Sequence, residues 1–217
     1  MNANPKLWCT AFKMSLTLSK SRIEALSDGI FAIAMTLLVL KLEVPDVMHH
    51  ESNQTMLREL LSLKFEFFTY VVTFLVAGRF WYLHHLTFHF VRHVDGFLLA
   101  VNLIFLMFIS LLPFSAGLMS HLFIHPISLL FYFGNQLAIG LLLNLHWQYA
   151  RRRNLIADTE PAEAVRLGFR VGMIAAIFGA CFLTAIFFPD GYPIFLAAGL
   201  TRVAGVILES TRRRKER

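Results

Sequence analysis

The stretch "RIEALSDGIFAIAMTLLVLKLEVP", residues 22–45, opens on polar turns holding Arg22, Glu24, Ser27 and Asp28, then runs through residues 29–40 without a charge. Residues 23–44 of it would form a helix of roughly 33 Å at 1.5 Å per residue, enough to cross a hydrocarbon core of about 30 Å. Pro45 ends the run, because proline has no N–H to continue a helix. The pattern predicts a membrane helix that carries an aspartate into its first turns.

The rest of the chain agrees with that environment. Of 217 residues, 57% are hydrophobic and 16% charged, with 22 phenylalanines and a mean hydropathy of +0.61. That is too little charge to cover the surface of a soluble domain. The apolar runs lack the period-two alternation of a membrane β-barrel. The N-terminal "MNANPKLWCTAFKMSLTLSK" lacks the apolar core and cleavage site of a signal peptide. Cys9 and Cys181 lie far apart in unrelated settings, so neither a disulfide framework nor a metal site is expected.

Six spans are expected: residues 23–44, 65–86, 94–119, 124–149, 167–188 and 194–209. This is an all-α integral membrane protein, with a six-helix domain over 21–210 between an N-terminal tail, 1–20, and a basic C-terminal tail, 211–217. An even number of spans puts both termini on one side. Sixteen of the 20 Lys and Arg residues, Arg79, Arg92 and the run Arg151–Arg152–Arg153 among them, then share that side with the tails. The other side keeps only Lys41, Arg58 and Lys64, and Arg202 lies inside the sixth span. The bias puts both termini in the cytoplasm. Basic clusters that punctuate apolar runs mark loop ends rather than nucleic-acid binding, and "RRRKER" would anchor on anionic lipid.

Read as a helix, residues 22–45 place Ile33, Leu37 and Leu40 one above another, with Thr36 beside them. Such a stripe faces lipid or a neighbouring helix, and periodicity does not choose between them. Asp28 should face protein or water and have a partner on another helix, since a carboxylate at mid-bilayer costs about 2.5–3.5 kcal/mol. The plainer alternative is that Ser27 or Asp28 caps the helix start.

"RIEALSDG" resembles the R-x-x-x-F-S-D-G signature of the transmembrane protein 175 family of potassium-permeable channels, with Leu26 in the Phe position. "FWYLHHLTF", residues 80–88, is similar to that family's Trp/His segment, and "DGFLLAVNLIFLMFISLLPF", residues 95–114, to its third span. A single six-span unit resembles the prokaryotic members.

The resemblance implies a homotetramer in a prokaryotic plasma membrane, its central pore lined by the first helix of each copy. It implies a constriction at Ile33, Leu37 and Leu40 and a selectivity threonine at Thr36. It also implies a polar network of Arg22, Ser27 and Asp28 with Trp81, His84 or His85, and Asn102. The expected activity is K⁺ permeation, modestly selective over Na⁺, through an apolar gate that excludes water. The expected partners are further copies of the chain, monovalent cations and membrane lipids. No cofactor is expected beyond K⁺ as the permeant ion.

Other features are weaker. His85, His89 and His93 have an i, i+4, i+8 spacing that could hold a metal, but no carboxylate or cysteine completes the set before Asp95. Asn135, Gln136 and Asn144 are expected to hydrogen-bond between helices. No nucleophile–base pair, phosphate loop or dinucleotide motif points to an enzyme. A proton- or cation-coupled secondary transporter is the alternative; it should show helices broken at mid-membrane, for which Pro113 is the lone hint.

Overall fold

A computed structural model describes residues 19–43, 52–121, 125–157 and 161–188. The expected sixth span and nearly all of both tails lie outside these. Among the described residues the chain is all-helical apart from one isolated antiparallel bridge. Four helices are long and apolar enough to cross a membrane, five when a bent pair counts as one span.

Helix α1 is Lys20–Leu37, followed by a 3₁₀ turn, Val39–Lys41. It begins eight residues before Asp28, and its N-cap, Ser19, makes no side-chain cap bond. Neither Ser27 nor Asp28 therefore caps this helix. Ile23, Ser27, Phe31 and Ala34 form its buried face, continued by Leu38.

Residues 53–62, expected in an outer linker, are helix α2, Asn53–Ser62, capped by Ser52 accepting from the Thr55 N–H at 3.3 Å. It meets α3, Lys64–Phe90, at a 45° bend. Helix α3 buries Thr69, Thr73, Val76, Ala77, Phe80, Leu83, His84 and Thr87, the stripe of a helix that packs along one face.

The third span comprises α4, Gly96–Ser110, and α5, Leu112–His121. They form one 25-residue span, Gly96–Ser120. Pro113 explains the division: it has no N–H for the carbonyl one turn back, and it sits at the start of α5, where that loss is tolerated. Helix α6, Pro126–Arg152, starts with proline in its first turn, and His125 Nδ1 accepts from the Ile127 N–H at 3.3 Å. Helix α7, Pro161–Phe187, packs closely on α6. Gly140 permits that approach, because a Cβ there would lie 3.0 Å from the Ala175 Cα.

One core joins the helices through Phe31, Phe80, Phe105, Leu143 and Val171. At the end of the bundle where α3 stops and α4 begins, two loops are tied together. The Arg92 N–H donates to the Leu155 carbonyl at 2.8 Å and the Ala157 N–H to that of Phe90 at 2.7 Å. Asp95 caps α4 through the Leu98 N–H at 2.8 Å and accepts from the Tyr149 hydroxyl at 2.6 Å. Burial works to raise the Asp95 pKa, but the Tyr149 and backbone hydrogen bonds and the Arg153 charge outweigh it and hold the carboxyl below its ordinary value.

Candidate functional site

Helix α1 has two unlike faces. The buried one carries Phe31, Ala34 and Leu38. On the other, Ile33 is 60% exposed, Leu37 41% and Leu40 70%, and Thr36 is exposed beside them. Leu40 lies in the 3₁₀ turn rather than in the α-helix. In that tighter geometry residues three apart eclipse, so Leu40 still stands above Leu37. The Thr36 hydroxyl donates back to the Ala32 or Ile33 carbonyl, each at 2.9 Å. Its proton is thereby committed to the backbone and its lone pairs are left for a donor or a cation.

The buried side holds a one-directional chain of hydrogen bonds. The Ser27 hydroxyl donates to the Ile23 carbonyl at 2.8 Å, and Asn102 Nδ2 donates to Ser27 Oγ at 3.3 Å. Asn102 Oδ1, 2.9 Å from His84 Nε2, is left as the acceptor, which assigns the His84 proton to Nε2. Phe88 and Phe105 stack on the His84 ring with centroids 4.5 and 5.1 Å away. Ser27, His84 and Asn102 are all buried, so helices α1, α3 and α4 meet through a satisfied polar triad within an aromatic shell.

Asp28 makes a second link: Trp81 Nε1 donates to its Oδ1 at 2.8 Å. A carboxylate near lipid is thus partnered by an indole on the neighbouring helix. His85 stacks on Trp81, centroids 5.9 Å apart, outside the triad. Arg22 is exposed, and its side chain makes no hydrogen bond or ion pair among the described residues, so the geometry does not bring it into this network. His85 and His89 share a face of α3, but the helix ends at Phe90 and His93 lies beyond it. Among the described residues, no three His, Cys, Asp or Glu side chains gather as a metal site.

The sequence reading missed His146. It is fully buried, its ring edge-on to His84 at 6.1 Å, with Nε2 3.3 Å from the Leu98 carbonyl. The signal was its helical spacing from Ile139 and Leu143, which belong to the same buried stripe of α6. Of the polar residues expected to bridge helices, Asn135 reaches Ser115 at 3.4 Å, whereas Asn144 bonds Gln148 within its own helix.

Residues 22–113, which hold nearly all of α1, the triad and Pro113, match the family described as the endosomal/lysosomal potassium channel TMEM175. A potassium channel of Chamaesiphon minutus is 32% identical over 189 residues, 77% of this chain and 92% of that one. The chain belongs to the TMEM175 family. A crystal structure of a TMEM175 homolog from the same organism superposes with a TM-score of 0.67 at 27% identity, covering 88% of this chain and 97% of that one. The Gallus gallus TMEM175, named an endosomal/lysosomal proton channel, is 33% identical over 115 residues, 51% of this chain and 23% of that protein. TMEM175 proteins are ion channels, and this membership sets the chain apart from enzymes.

Proposed function

We propose that four copies of this chain form a K⁺-permeable cation channel whose central pore is lined by α1. Ile33, Leu37 and Leu40 form stacked apolar rings that close by excluding water, and Thr36 adds a ring of hydroxyl oxygens. The observation that carries the reading is the division of α1. Its apolar stripe is exposed in a single copy, while Ser27 and Asp28 pin the opposite side to α3 and α4. Backbone carbonyls within α1 already accept helical hydrogen bonds and cannot replace an ion's water shell. Side chains must therefore meter the ion.

Membership in a family of ion channels favours a channel over the alternating-access transporter. The basic inner loops support cytoplasmic termini and a place in the plasma membrane of a prokaryote.

Flux of K⁺ and Na⁺ from liposomes holding the purified protein tests the proposal. Thr36→Ala removes four hydroxyls at once. It is expected to reduce the K⁺/Na⁺ permeability ratio by about threefold or more, roughly 0.7 kcal/mol, within the range of one net hydrogen bond. An unchanged ratio would take Thr36 out of the ion path.

A further inference from the structure

Seven buried side-chain polar atoms among the described residues have no hydrogen-bond partner in the protein, and five of them belong to just four residues, Glu66, Thr69, Asn135 and Gln136. Thr69 is 2% exposed, Asn135 5% and Gln136 0%, while Glu66 is half-buried. Folded proteins rarely leave such groups unpaired, so their gathering in one part of the bundle calls for a cause.

On α3, Glu66, Thr69 and Thr73 follow at spacings of three and four, which puts them on one face. It is the face that continues as Val76, Ala77 and Phe80 into the core. The Thr73 hydroxyl lies 2.9 Å from that of Tyr132, so this face meets α6 there. Gln136 stands one turn on from Tyr132 and beside its hydroxyl, at a geometry in which neither Oε1 nor Nε2 completes a hydrogen bond. Asn135 turns to α5: its Nδ2 donates to Ser115 Oγ at 3.4 Å, and its Oδ1 is left over. Helices α3, α5 and α6 pack on one another, so these groups share one interior. Helices α3 and α6 run in the same direction, because α4 and α5 carry the chain back between them. Glu66 to Thr73 spans roughly 10 Å, and Tyr132 to Gln136 adds roughly 6 Å. The polar line therefore runs from the start of α3 to about halfway through a hydrocarbon core of about 30 Å.

The groups left over are acceptors at Glu66 Oε2, Asn135 Oδ1 and Gln136 Oε1, the Gln136 amide donor, and the Thr69 hydroxyl, which can do both. A ligand that serves them must be small and must both donate and accept. Water fits, and a buried water typically makes about three hydrogen bonds to polar groups of this kind. We infer that the crevice between α3, α5 and α6 binds a file of ordered waters, entered at Glu66 and ending at Gln136. The waters join three helices through side chains that do not complete hydrogen bonds with one another, which is what lets two amides sit deep in an apolar bundle. The site lies within one copy of the chain and does not depend on how the pore is built.

Pulsed hydroxyl-radical labelling of the full chain tests this, because a radical formed from a bound water marks the nearest side chain, whereas radicals from bulk solvent do not reach a buried one. Tyr132, 2% exposed, should be labelled in the wild type, and Phe80, buried in the apolar core, should not. Gln136→Leu should lower Tyr132 labelling about fivefold, the change in occupancy that one lost hydrogen bond brings. Thr69→Val removes a single hydroxyl from an unchanged outline and should lower it by a similar factor, which keeps the test open if Gln136→Leu does not fold. Tyr132 unlabelled in the wild type, or labelled as strongly in the folded variants, would overturn the site. Labelling that requires K⁺ or Na⁺ and vanishes in choline would assign the crevice to a metal cation and overturn the water reading.

Discussion

Ile33→Asn is expected to raise K⁺ flux through liposomes about tenfold or more and to flatten discrimination between K⁺ and Na⁺. The apolar ring closes the proposed pore because water, and an ion with its hydration shell, is not stable between greasy walls at that width. Four amide side chains would wet the constriction, and each 1.4 kcal/mol removed from the barrier is worth a factor of ten. Ile33 is 60% exposed in the single copy, so the change leaves the subunit core untouched. At Phe31, which is 1% exposed, the same substitution would instead unfold the packing around His84 and report nothing about conduction. If Ile33 faced lipid, asparagine would impair insertion and leave the flux per particle unchanged. The flux assay separates these results.

Asn102→Leu is expected to destabilise the subunit by about 2–4 kcal/mol, the cost of leaving buried polar groups unpaired in an otherwise conserved volume. His84 would lose the acceptor for its Nε2 proton, and Ser27 would lose its donor while keeping its own bond to the Ile23 carbonyl. Most of the loss should therefore sit at His84, which is surrounded by phenylalanine rings and has no water to turn to. Denaturant unfolding in detergent measures it. Asp28→Asn serves as the contrast, because an amide oxygen can still accept from Trp81 Nε1 and the site is exposed. Its effect should stay below about 1 kcal/mol. Equal losses at the two positions would refute the view that the triad, rather than the Asp28–Trp81 link, holds α1 in place.

The spans were legible where charge was absent over enough length, as in α1 and α6, because lipid demands that pattern of any helix. Helix α2 escaped because Asn53, Arg58 and Glu59 give it a polar face, and ten amphipathic residues beside charged neighbours read as a linker. The 3₁₀ turn that carries Leu40 was hidden as well, since hydropathy does not distinguish a tightened last turn from a regular one. Within the site, Ser27 and Asp28 stood out as polar residues in an apolar setting that had to find partners, whereas Trp81 and Asn102 entered only through the family resemblance. Sequence could not choose between His84 and His85. Adjacent residues on a helix point about 100° apart, and only the positions of Phe88 and Phe105 decide which ring enters the core. His146 was passed over although its spacing from Ile139 and Leu143 put it on the buried stripe of α6, because the same stripe already offered Asn135 and Gln136 as interhelix candidates.

Disulfide crosslinking of Ile33→Cys in native membranes, with Cys9 and Cys181 replaced by serine, tests the central claim most directly. If α1 helices from separate copies meet around one axis with this face inward, mild oxidation should join copies covalently, and K⁺ flux should fall in step with the crosslinked fraction. Chains that remain single under oxidation, with flux unaltered, would contradict the account by placing the Ile33 face away from the other copies.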